Sequence, residues 1–356
     1  MTATQTTPSP SFVSRLITAI LDIKPVFSLA KRRARSMMIK RAAEIGVDWP
    51  GEVQALRSRQ LLSDHLPQAE GSIHPEWEQA LATIRDDALV YPDYYVRSFH
   101  AYEEGNLGWL PAMEADVAGK TVHAKIWDGA GAKGDRMLRQ SYYDVIKETL
   151  PSTPQRILDV GCSAGHSTFA LRNLYPKASC TGVELSPYFL AVAQYFETLH
   201  NDMPPVYHSI EDNTAATTSA TLPLTSRSST EPEALKAIQW VHAAGEATGL
   251  DAASFDLASI CLVLHEMPSA ETHQLLAEMR RVLKPGAFLS IMDMNPKASI
   301  YSTMPPYILT LLKSTEPFLD EYFSLDLEQA IYDAGFTRPE VTCNSPRHRT
   351  VIAQAR

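Results

Sequence analysis

The chain is short of cysteine. It has 356 residues and only Cys162, Cys180, Cys261 and Cys343. None forms a C-x-x-C pair, and at least two lie in apolar runs that read as buried strands. This spacing excludes a thiolate zinc site and a disulfide framework, so reduced core thiols in a cytoplasmic protein are expected, with no metal. Positive charge is also scarce. Lys and Arg number 32 against 41 Asp and Glu, a net charge of −9. Neutralising phosphates takes a basic face, so nucleic-acid binding is excluded as the main task. No apolar run reaches the roughly 18 residues of a membrane span, and no internal repeat is present. What the chain does have is 45% hydrophobic residues, enough for one large or two modest domains.

The N-terminus reads in two parts. Residues 1–11 are rich in Thr, Ser and Pro and are expected to form a disordered tail. Residues 12–45 alternate apolar and basic side chains, from Phe12, Leu16 and Ile17 to Lys31-Arg32-Arg33-Ala34-Arg35. A surface helix docked on the globule fits this best. The same pattern also fits an organelle transit peptide or peripheral membrane contact. Residues 12–90 read as mainly helical, with breaks near Pro25, Pro50-Gly51 and Gly71 to Pro75.

Residues 156–194 organise the rest. Ile157-Leu158-Asp159-Val160 is a buried parallel strand running into Gly161-Cys162-Ser163-Ala164-Gly165. A helix opens at His166, and Cys180-Thr181-Gly182-Val183 is the next buried strand, with Glu184 at its carboxyl end. This is half of a doubly wound α/β sheet, whose ligands bind beyond the carboxyl ends of the strands. A dinucleotide turn wants a third glycine opening the helix, yet His166-Ser167-Thr168 follow Gly165. Asp159 beside the turn repels a pyrophosphate and attracts an ammonium or sulfonium. Glu184 suits the two hydroxyls of a ribose.

Two later blocks add to this. Ser254-Phe255-Asp256 to Leu264-His265-Glu266-Met267-Pro268 reads as the fourth strand and its turn, and Arg281-Val282-Leu283-Lys284-Pro285-Gly286 leads into the fifth. With D-V-G-C-S-A-G and Glu184, these blocks resemble the class I S-adenosylmethionine (SAM) dependent methyltransferases, in particular the ubiquinone and menaquinone methyltransferase branch. The family pattern has G-x-G-x-G, and here Ser163 takes the middle position; Glu266 replaces a second His. The resemblance implies a Rossmann-like, mostly parallel sheet with an antiparallel last strand, over residues 151–356, beside an N-terminal helical and lid region at 12–150. It implies SAM as methyl donor. Asp159, Gly161, Cys162, Ser163 and Gly165 would hold it on one side. Glu184, Leu185, Glu246, Ala247 and Cys261 would hold it on the other, with Glu246, after the third strand, bonding the adenine amino group.

The flanks point to the acceptor. Residues 91–110 mix aromatic side chains with His, Glu and Asn, which suits an apolar pocket with a few fixed polar groups. Tyr95, Phe99, Tyr102 and Trp109, with Tyr307 from a helical lid at 295–323, are the expected acceptor contacts. His265, Glu266 and His100 are the candidates for acid–base work, with His265 as the best base and His166 structural. The acceptor is expected to be a small organic molecule reacting through O, C or S. A thioether carboxylate would need no base, and Arg97, Arg136 or Arg139 could clamp its carboxylate. The polar stretch at about 203–236 reads as a flexible insertion. A homodimer is one assembly the sequence allows. Two other classes stay in view: a nicotinamide oxidoreductase, disfavoured by the turn, and a catalytically silent scaffold working through its N-terminal helices.

Overall fold

A computed structural model describes residues 24–59, 73–100, 102, 104–202, 235–305, 308, 312–313 and 315–356. The tail at 1–11, nearly all of the 203–236 insertion and Tyr307 lie outside the described residues.

Four helices precede the sheet: α1 (Lys24–Glu44), α2 (Trp49–Arg57), α3 (Glu76–Ile84) and α4 (Trp109–His123). Pro25 and Pro50 sit in first turns rather than between helices, where a missing N–H costs nothing. Asp48 caps α2 by accepting from the Gly51 N–H at 3.1 Å. A fifth helix, α5 (Gly134–Thr149), leads into the sheet. It falls on the N-terminal side of the boundary read at residue 150, but it belongs with the sheet. Leu138, Tyr142, Tyr143 and Ile146 are buried against Ile157, Leu257 and Ile352.

The alternation then runs β1 (Arg156–Val160), α6 (His166–Leu174), β2 (Ser179–Glu184), α7 (Pro187–Asp202), β3 (Gln239–His242), β4 (Phe255–Cys261), α8 (Ser269–Val282) and β5 (Leu283–Met294). Helices α9 (Ser299–Thr303), α10 (Leu319–Ser324) and α11 (Leu327–Asp333) follow, and β6 (Glu340–Thr342) and β7 (His348–Gln354) close the chain. The sheet has seven strands in the order β3-β2-β1-β4-β5-β7-β6. The first five are parallel, and β7 runs antiparallel between β5 and β6. The strand order reverses between β1 and β4, so the carboxyl ends of β1, β2 and β4 open a crevice there. The central strands are nearly all apolar because helices cover both faces. One helical side is a satellite core in which Trp49, Trp77, Met113 and Val117 of the N-terminal helices meet Phe189, Val192 and Tyr195 of α7.

Glycines let side chains close under the first turn. A Cβ on Gly182 would stand 2.7 Å from the Trp240 ring and 2.9 Å from Cys162 Sγ, and one on Gly165 would meet Trp240 at 2.8 Å. Trp240 is therefore wedged beneath the turn, its indole N–H held by Glu197 at 2.7 Å. Overfilling such a site costs about 1–3 kcal/mol. Gly182→Ala is expected to lower stability by that amount, and Trp240→Phe in the same chain to recover part of it. A double-mutant cycle by urea denaturation checks this, and strict additivity of the two losses would rule the wedge out.

Candidate active site

The turn after β1 is built from left-handed backbone. Gly161, Ser163 and Gly165 have φ of 67°, 51° and 86°. For Ser163 this costs about 1–2 kcal/mol relative to the right-handed region, and it is the one place where the chain departs from glycine. The turn is tied down on both sides. Gly161 and Cys162 donate to the Val183 carbonyl at 2.8 and 3.1 Å. The Ser163 N–H donates to Glu184 at 3.0 Å, and the Ser186 N–H donates to the other oxygen of the same carboxylate at 2.8 Å. Opposite, Asp159 Oδ2 accepts from the Ser167 and Thr168 hydroxyls at 2.6 and 2.7 Å.

Both carboxylates are buried. Burial raises the Glu184 carboxyl against the pull of its backbone donors. Burial likewise pushes Asp159 up to about 6, and its Oδ1 has no hydrogen-bond partner. An orphaned buried carboxylate oxygen at the head of a glycine turn suits a cationic group. Arg139 stands close by. It comes from α5, donates to Asp135 at 3.0 Å and reaches Cys261 Sγ at 3.8 Å. Asp159 feels its charge. A carboxylate with a guanidinium in its field has the charges that would complement the ammonium and carboxylate of an amino acid. The sequence reading had placed Arg139 among clamps for the acceptor rather than for the donor.

The segment between α3 and α4 crosses the other end of the crevice. Its start is pinned to β3: the Asp86 N–H donates to His242 Nδ1 at 2.9 Å, and His242 Nε2 faces the Leu185 carbonyl at 3.1 Å. Tyr95 then donates to Glu184 at 3.0 Å, and Tyr94 to Glu246 at 3.0 and 3.2 Å. The two tyrosine hydroxyls thus sit on the two carboxylates expected to meet the nucleoside. Ala247, in the turn after β3, donates its N–H to the Ala244 carbonyl at 3.1 Å.

The candidates for acid–base work converge at the end of β4. His265 Nδ1 lies 2.7 Å from Asp293 of β5, Glu266 Oε1 is 3.9 Å from His265 Nε2, and His100 Nε2 is 3.5 Å from Glu266. Glu316 joins them 3.2 Å from His100. Burial works against charge on His265, but the buried Asp293 carboxylate outweighs it, with Glu266 and Glu316 adding to the pull, and the imidazole is pushed up to about 10. Asp293 thus favours the charged imidazole of His265, which weighs against a general-base role for it. Burial raises both Glu266 and Glu316 and lowers His100.

Other expected contacts lie elsewhere. Trp109 belongs to the satellite core, 5.5 Å from Trp77 and 5.0 Å from Tyr188, with its N–H on Glu78 at 2.9 Å. Tyr102 donates to the buried Glu114 at 2.8 Å, which also pairs with Arg35. Both aromatics join layers instead of lining the crevice. Phe99 is buried, its ring edge-on to His100 at 4.3 Å. Cys261 is buried in the core beside Arg139. His166 pairs with Asp116 of α4 at 3.0 Å. A surface cleft of about 500 Å³ lined by Ser269, Asp320 and Asp326 shares none of these residues.

The carboxylates around the glycine turn stand at the carboxyl ends of an open, mostly parallel sheet, where α/β folds bind their ligands. The family model of the methyltransferase domain matches residues 158–289. A malonyl-[acyl-carrier protein] O-methyltransferase of Bacillus cereus is 32% identical over 89 residues, 23% of this chain and 33% of that protein. The chain thus spans about a third of the length of that curated relative. A SAM-dependent methyltransferase from Aquifex aeolicus is similar at 18% identity and a TM-score of 0.43, covering 67% of this chain and 98% of that one. A phosphoethanolamine N-methyltransferase of Haemonchus contortus, crystallised with SAM, covers 70% and 60% at 14% identity and a TM-score of 0.46. Residues 158–289 thus match a methyltransferase domain, and they span β1 to β5 of the sheet. Among the described residues no helix is long and apolar enough to cross a membrane.

Asp159 titrates between folded and unfolded states. Its folded carboxyl stands near 6 against 3.8 when exposed. The protonated form favours the fold, so this contribution is fully present below about pH 4 and is lost as pH rises through about 6. At ~1.4 kcal/mol per unit the loss is about 3 kcal/mol. The stability of Asp159→Asn relative to the unsubstituted protein should therefore rise by roughly this much between pH 4 and pH 7. Urea denaturation across that range measures it, and a pH-independent difference would contradict the assignment.

Proposed function

We propose that this protein transfers the SAM methyl group to a small organic acceptor. The observation that carries the reading is Asp159 Oδ1, buried and without a partner at the head of the glycine turn. The chemistry of the surroundings fits SAM throughout. Asp159 would hold the ammonium and Arg139 the carboxylate. Glu184 and Glu246 would take the ribose hydroxyls and the adenine amino group. Bound SAM supplies an electrophilic methyl on a sulfonium, so the chain's main task is to hold donor and acceptor in line.

The acceptor would lie under residues 91–110 and 295–323, against Tyr95, Phe99 and His100. His265, held cationic by Asp293, would supply fixed positive charge there. An acceptor that must lose a proton finds no free base in that imidazole. The malonyl-[acyl-carrier protein] relative is named for an acyl-linked carboxylate, and the Haemonchus protein for an amine; both are small acceptor groups, and neither fixes the class here. Calorimetry with SAM and with S-adenosylhomocysteine tests the reading, and no heat from either would sink it.

Two substitutions probe the donor contacts. Arg139→Leu should weaken SAM about 10- to 100-fold, the size of a lost charge-assisted hydrogen bond, and leave 5′-methylthioadenosine, which lacks the amino acid group, unaffected. Equal weakening of both ligands would exclude the carboxylate contact. Tyr95→Phe should tighten SAM about 3- to 10-fold, since its hydroxyl competes for Glu184. Weaker binding would mean that Tyr95 assists the donor instead.

A further inference from the structure

The acceptor end of the crevice holds three side chains that the methyl-donor reading does not use. His100 stands in the segment over the crevice, Glu266 follows β4, and Glu316 precedes α10. The His100 backbone N–H donates to the Thr315 carbonyl at 3.1 Å, which sets His100 beside Glu316. His100 Nε2 is then 3.2 Å from Glu316 Oε1 and 3.5 Å from Glu266 Oε1. All three ligand atoms lie within 4.8 Å of one another.

From these positions we propose that His100, Glu266 and Glu316 bind one divalent transition-metal cation. Oxygen and nitrogen ligands at roughly 2.1 Å from a metal stand about 3.0–3.4 Å from each other in octahedral or tetrahedral sites. The His100–Glu316 separation of 3.2 Å falls within that edge and the His100–Glu266 separation of 3.5 Å is just beyond it. A small rotation of the glutamate side chains would bring all three ligand atoms to one ion. A second observation points the same way. Glu316 is 8% exposed, and its Oε2 has no hydrogen-bond partner. A buried carboxylate oxygen left alone is costly, and a cation between Glu316 and Glu266 would satisfy it. The two carboxylates meet one imidazole, a mixed set that suits Zn²⁺, Mn²⁺ or Fe²⁺. The side chains of His100 and Glu266 are 38% and 27% exposed, so an ion can reach the site and water or substrate can complete its shell. This departs from the sequence expectation of no metal, since cysteine spacing bears only on a thiolate site. These three ligands come from segments about 166 and 50 residues apart, which no spacing motif registers.

The cation would place positive charge at the acceptor end without involving the donor contacts. An acceptor oxygen bound to it would release its proton more readily. The site stands or falls independently of methyl transfer.

The test uses the full chain without a purification tag, stripped with chelator and dialysed against Zn²⁺, Mn²⁺ or Co²⁺ alone. Elemental analysis is expected to give about one equivalent of at least one of these ions, and a higher melting temperature with that ion bound. Glu316→Gln and His100→Ala should each reduce uptake at least 10-fold, with SAM calorimetry and circular dichroism reporting an intact fold. Bound Co²⁺ should show visible d–d bands without a thiolate charge-transfer band in the near ultraviolet, a readout that needs no variant. Uptake below a tenth of an equivalent for all three ions would overturn the proposal, as would full uptake in both folded variants or a thiolate band. Metal uptake without SAM binding would leave the site standing and remove the methyl-transfer reading; the reverse would do the opposite.

Discussion

Buried negative charge is the constraint on which the crevice depends. Asp159, Glu184 and Asp293 are each at least nine-tenths buried, and all three end strands on the same edge of the sheet. An ion moved from water into protein keeps its charge only if donors replace the water. Each carboxylate has its own donors. Glu184 takes two backbone N–H groups from the turns on either side of it. Asp159 takes two hydroxyls from the first turn of α6. Asp293 takes the imidazole of His265. The glycine turn is thus clamped between two carboxylates, and its left-handed backbone at Ser163 is held by the bond that Ser163 makes to Glu184.

Packing below the turn enforces the same geometry. Trp240 from β3 fills the space over Gly182, while Val263, just past β4, would lie 2.6 Å from a Cβ on Gly161. The turn can neither sink nor acquire side chains without displacing a neighbouring strand. Its N–H groups and the two carboxylates therefore face a fixed space, which is what a ligand with several polar groups needs. The switch in strand order between β1 and β4 keeps helices from covering that space.

Much of this was legible in the chain. The run from Ile157 to Glu184 reads as strand, turn, helix and strand because apolar periods of two kinds meet at closely spaced glycines. Asp159 and Glu184 could be picked out as acidic groups at strand ends. The closing antiparallel pair was also readable, from Val341 and the run at Thr350. Three features were not. Arg139 brings its charge to the Asp159 side of the turn from a helix that precedes the sheet. Asp293 meets His265 Nδ1 and favours its charged form across a separation of 28 residues. Glu316 comes to His100 from the far side of the chain. All three are contacts across the fold, and a local pattern carries no record of them. Trp109 and Tyr102 went the other way. A mixture of aromatic and polar residues describes a pocket and a layer interface equally well, and their partners Glu78 and Glu114 decide for the interface. Pro285-Gly286 reads as a turn, yet β5 already starts at Leu283, with an irregular register opposite Phe255 and Leu257 absorbing the break.

The two tyrosine hydroxyls take up acceptor capacity on both carboxylates of the nucleoside end proposed above. Glu184 has room for about four donors, and three places are already taken by Ser163, Ser186 and Tyr95. Glu246 has both oxygens within reach of the Tyr94 hydroxyl. A nucleoside arriving with its own hydroxyl and amino donors would exchange one set of hydrogen bonds for another, and the net gain from that exchange is small. Affinity would then come from groups not already hydrogen-bonded, of which the unpaired oxygen of Asp159 is one. On this argument the tyrosines make the nucleoside end selective without making it tight, and the charged end beside Arg139 decides whether the donor stays.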